Sequence, residues 1–115
     1  MKNTLIQLGQ KVNEFVDAYL KTVPTDTVYP YGKYNFLIPT TSFKTQTGDF
    51  TIDVYSNNVA EAINIADDIW KGLDGYTYSD INTSLYVRQS FMTTIEDIEK
   101  IHTISLTFMV LFEEE

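Results

Sequence analysis

Between residues 49 and 75 the apolar positions change period. Phe50, Ile52 and Val54 alternate with Thr51, Asp53 and Tyr55. That period of two predicts a half-buried strand over 49–56. From Val59 the spacing becomes three and four: Val59, Ala62, Ile63, Ala66, Ile69, Trp70 and Leu73 share a wide apolar face, and Glu61, Asn64, Asp68 and Lys71 a polar one. This predicts a helix over 59–73, about 24 Å long and able to cover a small sheet. Asn58 is placed to cap it, with Glu61 at the third helical position. Gly72 and Gly75 supply the stop.

Upstream, Leu5, Leu8, Val12, Phe15, Val16 and Tyr19 fall on one helical face and predict a helix over 4–21. Thr4 and Gln7 resemble a capping box, Asp17 and Lys21 are spaced as an i,i+4 pair, and Pro24 ends the run. Gly9, in the middle, is either a point of close packing, the favoured reading, or tolerated drift. Two short strands, 27–31 and 34–38, are expected around a turn at Gly32 and Lys33, with Pro30 confining the first to an edge. The polar stretch 39–48 carries Phe43 as its large apolar residue and is either a loop or a hairpin tip.

Downstream, strands are expected over 84–92 and 101–112. The last alternates Ile104, Leu106, Phe108 and Val110, and its second half adds Met109 and Leu111 on the opposite face. A strand apolar on both faces is normally covered on both. Residues 94–100 read as a hairpin tip or one helical turn, and the flanking strand-like runs favour the hairpin. Together these elements predict a single α+β domain over 1–115: a small antiparallel or mixed β-sheet of four to five strands with two helices packed on it.

Composition narrows the function. Fifteen threonines, eight tyrosines and seven phenylalanines favour strands. Cysteine is absent, so disulfides and thiolate metal sites are excluded, and nothing points to secretion. The formal charge of −8, with a single arginine, Arg88, argues against binding of nucleic-acid phosphates as the main activity. No apolar run approaches a membrane span.

Catalytic chemistry finds no foothold. His102 is the one histidine, with no nucleophile motif near it in sequence. Asp67 and Asp68 point about 100° apart on the helix and read as a solvated face. Asp74 and Asp80 do not have calcium-loop spacing, and no glycine-rich phosphate loop is present. The expectation is no enzyme, no metal and no cofactor. Tyr29, Tyr31, Tyr34 and Phe36 have only Lys33 as a basic neighbour, which fits core and interface better than a base-stacking platform.

Several segments, taken together, resemble a known family. They are the first helix, Val28-Tyr29-Pro30-Tyr31, Asp53-Val54-Tyr55-Ser56 leading into the helix from Ala60 to Ile69 and its end at Leu73, and a closing strand with His102, Leu106 and Phe108. The chain resembles the tail-terminator, or tail-completion, proteins of long-tailed bacteriophages. The resemblance implies a virion protein, assembled in the host cytoplasm, that forms a ring of six copies at the head-proximal end of the tail tube. It implies an end to tube polymerisation, joining of tail to head, and three partners: further copies of itself, the major tail tube protein, and a head–tail connector or neck protein. DNA would pass through the ring without specific binding, past a negatively charged lumen. A cyclic ring needs two different, complementary patches on each subunit. The residues expected there are Tyr29 and Tyr31, Met109 and Leu111, with Phe43, Phe91 and Met92 reaching toward tube or neck. Other readings stay open: another connector or minor tail protein of similar fold, a small-molecule-binding dimer or small enzyme using the tyrosines, Asp53 and His102, or a host regulatory partner.

Overall fold

The computed structural model describes residues 2–37 and 45–114, without the side chains of Thr45 and Glu96. In chain order the elements are α1 (Lys2–Val12), β1 (Ala18–Leu20), β2 (Tyr31–Leu37), β3 (Thr45–Ser56), α2 (Val59–Leu73), β4 (Thr77–Ser79), β5 (Thr83–Ile98) and β6 (Ile101–Glu114). The six strands form one sheet in the order β1-β2-β3-β6-β5-β4. Only the β1–β2 pairing is parallel, so the sheet is mixed. The α+β class fits the sequence pattern, but six strands exceed the four to five expected.

Two short strands were not expected, β4 and β1, and β1 comes from the expected first helix, which ends at Val12 rather than continuing to residue 21. Asn13 stops it. Its side-chain amide donates to the Gly9 carbonyl at 2.8 Å, and its Oδ1 accepts the Ala18 amide at 3.0 Å. This local side-chain bonding competes with the helical ladder. It turns the chain so that Ala18, Tyr19 and Leu20 lie beside Gly32, Lys33 and Tyr34. Asp17 and Lys21 are therefore not one helical turn apart. Thr4, expected as a cap, is a fully buried residue inside α1.

A second correction concerns Gly32. There is no turn there: β2 runs unbroken from Tyr31 to Leu37, and 27–30 is not a strand. The glycine serves close approach instead. A Cβ on it would meet Val16 and Ala18 at 3.3 and 3.5 Å, and its amide donates to the Asp17 carbonyl at 2.8 Å. Gly9 plays the same part in α1, where the Tyr34 phenol lies against it.

β3 and β6 form the centre of the sheet, paired from Thr45–Glu113 to Ser56–His102. Phe50, Ile52, Val54, Leu106, Phe108 and Val110 are fully buried on the face covered by the helices. From α2 that core receives Ala62, Ala66, Ile69 and Leu73, and from α1 Leu8 and Val12. Asn58 caps α2 as its sequence position predicts, Oδ1 accepting the Glu61 amide at 3.0 Å. The reciprocal half of the cap runs through a relay. Ser56 Oγ accepts the Asn58 amide at 3.0 Å and donates to Glu61 Oε1 at 2.8 Å.

β5 and β6 join in a hairpin whose turn, Glu99 and Lys100, has φ of 52° and 66°. Positive φ at both central residues matches the right-handed twist of the strands. The segment 94–100 is thus a hairpin end and not a helical turn. β5 reaches well past the expected 84–92, with register irregularities after Gln89 and Ile95. Sixteen residues of straight strand would reach ~50 Å, and β5, shortened by its irregularities, sets the long axis of a molecule measuring 44 × 26 × 24 Å. Among the described residues no helix is long and apolar enough to cross a membrane.

Candidate functional site

Both helices lie on one face of the sheet, and the other face is open. Alternation along β6 sends Met109 and Leu111 to the open side, where they are 39% and 37% exposed. Register places Met109 between Asp49 and Arg88, and Leu111 between Thr47 and Tyr86. Arg88 lies over the Tyr86 ring, 5.9 Å from its centroid. This is a mixed surface: apolar side chains with one cation and one anion beside them.

Tyr29 and Tyr31 occupy a different part of the molecule. Their rings stack at 5.2 Å, and Tyr31 stacks on Tyr55 at 5.0 Å. Lys33 lies 5.8 Å from the Tyr55 centroid. Burial, then the neighbouring Tyr29, raises the Tyr31 phenol above its ordinary pKa, so it stays neutral. Phe91 and Met92 belong to neither group: they lie on the β5–β6 hairpin, opposite Thr107 and Leu106. Phe43 lies outside the described residues. The described interface candidates therefore fall in three places, Tyr29 with Tyr31, Met109 with Leu111, and Phe91 with Met92.

Beyond Gln89, β5 runs on as the edge strand of the sheet, paired with β6, and its turn extends past the β3–β6 pairing, which ends at Ser56–His102. β4 pairs only Thr77–Ser79 with Ser84–Tyr86. The Gly75, Tyr76 and Asp74 contacts continue that cover to Gln89. From residue 90 to 98 the outer edge of β5 has no strand beside it among the described residues. Phe91 is 55% exposed, Ile98 70%, and Met92 and Ile95 are also exposed. Ile95 and Ile98 were missed in the sequence because residues 94–100 carry too many charges to read as an apolar element.

A groove of about 610 Å³ lies between this hairpin and α2, lined by Val59, Ile63, Ile95, Asp97, His102 and Ile104 among others. Val59 and Ile63, counted from periodicity as part of the core face of α2, are half exposed on its wall. His102 Nδ1 lies 3.0 Å from Asp97 Oδ2, across the hairpin. The pair orients the imidazole, but no third group is hydrogen-bonded to it among the described residues. Nucleophilic catalysis needs that further partner.

The remaining acidic candidates have structural work. Asp74 accepts the Gln89 amide at 3.0 Å. Asp80 accepts the Tyr78 hydroxyl and the amides of Asn82 and Thr83, and these bonds, Tyr78 first, hold its carboxyl below the usual range. Asp67 pairs with Lys71 at 2.8 Å on the solvated face of α2. No group of three or more His, Asp or Glu among the described residues is placed to hold a metal ion.

The molecule is thus an α+β fold whose mixed sheet is covered by helices on one face and exposes apolar side chains on the other face and along the outer edge of β5. No family model matches the chain, and no curated protein matches it in sequence. Among solved structures its fold is similar to a chain in the virion of a native gene transfer agent particle. The two share a TM-score of 0.68 over 92% of this chain and 94% of the other, at 15% sequence identity. At that identity the likeness is one of fold.

Proposed function

We propose that this chain is a structural protein of a phage or phage-like virion, a tail terminator that closes the head-proximal end of the tail tube and joins it to the head. The observation that carries the reading is the fold shared, nearly end to end, with a chain of a gene transfer agent virion. Three features of the molecule support it. Its reactive groups are tied into structural contacts. The open face of the sheet and the free edge of β5 expose apolar side chains, among them Phe91, Ile98, Met109 and Leu111, that a neighbouring subunit would cover. Its charge of −8 suits a surface past which DNA slides without being held.

In this reading the subunits close into a ring, six copies by the family resemblance, stacked on the last ring of tube protein and meeting a connector or neck protein above. The chain does no catalysis and carries no cofactor. Particles assembled without it provide the test. Tail tubes are expected to overrun their normal length and to stay unjoined to heads. Tubes of uniform length, capped and joined in its absence, would exclude termination. Normal tubes that merely fail to join heads would identify another connector of the same fold.

A further inference from the structure

We infer that the β5–β6 hairpin of one copy docks, head to tail, on the β1–β2 edge of a second copy of this chain. The inference rests on the assembly reading above and names the surfaces that would carry it. Both surfaces leave strand edges unfilled. On the hairpin, residues 90–98 have no outer strand among the described residues. At the other end of the sheet, β1 covers Gly32 to Tyr34 only, so Asn35 to Leu37 of β2 lack an outer strand among the described residues. Asn35 Oδ1 is buried there with no hydrogen-bond partner, an acceptor that needs a donor. An unpaired strand edge is a template for a strand of another chain.

The side chains match as well. The hairpin offers Phe91, Ile95 and Ile98, with Asp97 and Glu99 against Lys100 near its tip. The receiving edge offers exposed Leu20, Val28 and Leu37. Beside them a hollow of about 360 Å³ is lined by Lys21, Lys33, Asn35, Leu37, Thr51 and Asp53. Lys21 follows β1 and Lys33 stands on β2 opposite Asp53 of β3, and neither lysine makes an ion pair among the described residues. In a chain of charge −8 this lysine-bearing edge is a natural partner for the acidic tip. The groove behind the hairpin, walled by Val59 and Ile63, receives the neighbour's Leu20 and Val28. Docking hairpin to hairpin instead would set acid against acid. Two different patches on one chain make a heterologous contact, the kind that closes rings.

The absence of cysteine makes the test direct. Ile98→Cys and Leu37→Cys are prepared separately and together, both at exposed sites, and treated with a short bismaleimide. Mixed single variants should give I98C–L37C dimers, and the double variant a ladder of oligomers. Lys21→Glu or Asp97→Lys alone should cut the mixed product about fivefold, and combining them should restore it. Homodimers of I98C, mixed product no greater than with an Asn82→Cys control, or I98C product only with tube protein in assembling particles would each overturn the inference. Failure here with overlong tubes in particles lacking the protein leaves termination standing and assigns the ring to other surfaces. Mixed product with normal tubes leaves the docking standing and removes termination.

Discussion

Glu114 caps the helix that begins at the other end of the chain, through Thr4. Its Oε2 accepts the Thr4 hydroxyl at 2.8 Å and the Thr4 amide at 3.2 Å, and Oε1 accepts the Asn3 amide at 2.7 Å. The first turn of α1 has no acidic residue of its own. The carboxylate thus supplies from β6 what the helix dipole and its free amides require. Burial by itself pushes the Glu114 carboxyl up, but the hydrogen bonds it accepts prevail and lower it to about 2 from 4.5.

The sign of the pH dependence follows from that depression. Above pH 4.5 both folded and unfolded chains carry the ionised group, and its contribution is fully present. As pH falls from 4.5 toward 2 the unfolded chain takes up a proton that the folded chain does not, so stability is lost across that window. Glu114→Gln is expected to cost ~1 kcal/mol near neutral pH, the worth of a solvent-screened cap, and to flatten the acid limb of the stability profile. Urea midpoints measured at several pH values check this. An unchanged acid limb in the variant would show that other carboxylates govern it.

The relay at the start of α2 makes a separate prediction. Ser56 is buried and serves both the Asn58 amide and the Glu61 carboxylate. Asn58→Ala should cost ~1 kcal/mol. Ser56→Ala should cost about as much, because it strands the Asn58 amide as well as losing the Glu61 contact. The double variant should cost clearly less than the sum, since each change disables the same cap. Strict additivity in denaturant titrations would mean the two bonds act independently.

How much of this was legible in the sequence depended on whether a residue's role was local. Asn58, Glu61 and the strand from Phe50 to Val54 act over a few positions, and their pattern announced them. The end of the first helix and the role of Gly32 were misread because the partners of Asn13 and Gly32, Ala18 and Asp17, matter only once the chain has turned back on itself. Periodicity gave α2 an apolar face wider than the sheet beneath it. Only the structure separates Ala62 and Ile69, which are buried, from Val59 and Ile63, which wall a groove. The open-face position of Met109 and Leu111 followed from alternation alone. The exposed Ile95 and Ile98 did not, because they depend on how far β5 runs past its outer neighbour β4.

Gly72 illustrates a tertiary contact that opposes local propensity. Within a helix glycine is ~1 kcal/mol worse than alanine, yet the Phe15 ring lies directly against its Cα. A methyl group there must displace the ring, and overpacking of this kind costs ~1–3 kcal/mol. Gly72→Ala is expected to destabilise the protein in the presence of Phe15. In a Phe15→Ala background the same change should become stabilising by up to ~1 kcal/mol. Reversal of sign in thermal or urea unfolding is the discriminating result. Destabilisation in both backgrounds would place the cost elsewhere in α2.

Met109 and Leu111 separate folding from assembly. Each is more than a third exposed, with Arg88 and Asp49 beside Met109 and Tyr86 beside Leu111. Their neighbours in β6, Phe108 and Val110, are fully buried under the helices. Phe108→Ala should therefore cost ~3–5 kcal/mol. Met109→Asp with Leu111→Asp should cost ~1 kcal/mol or less per site, since surface changes rarely cost more. If the open face meets a neighbouring subunit or the tube, the paired aspartates place two charges in a desolvated contact, and assembly should fall by tenfold or more, ~1.4 kcal/mol. Urea unfolding of the isolated chain and incorporation into particles, measured on the same variant, give the two numbers. A folding loss as large as that of Phe108→Ala would show that this face is internal. Full incorporation with normal folding would show that the open face stays in solvent in the assembled particle and that contact is made elsewhere, leaving the projecting hairpin and the lysine-bearing edge as the surfaces that join subunits.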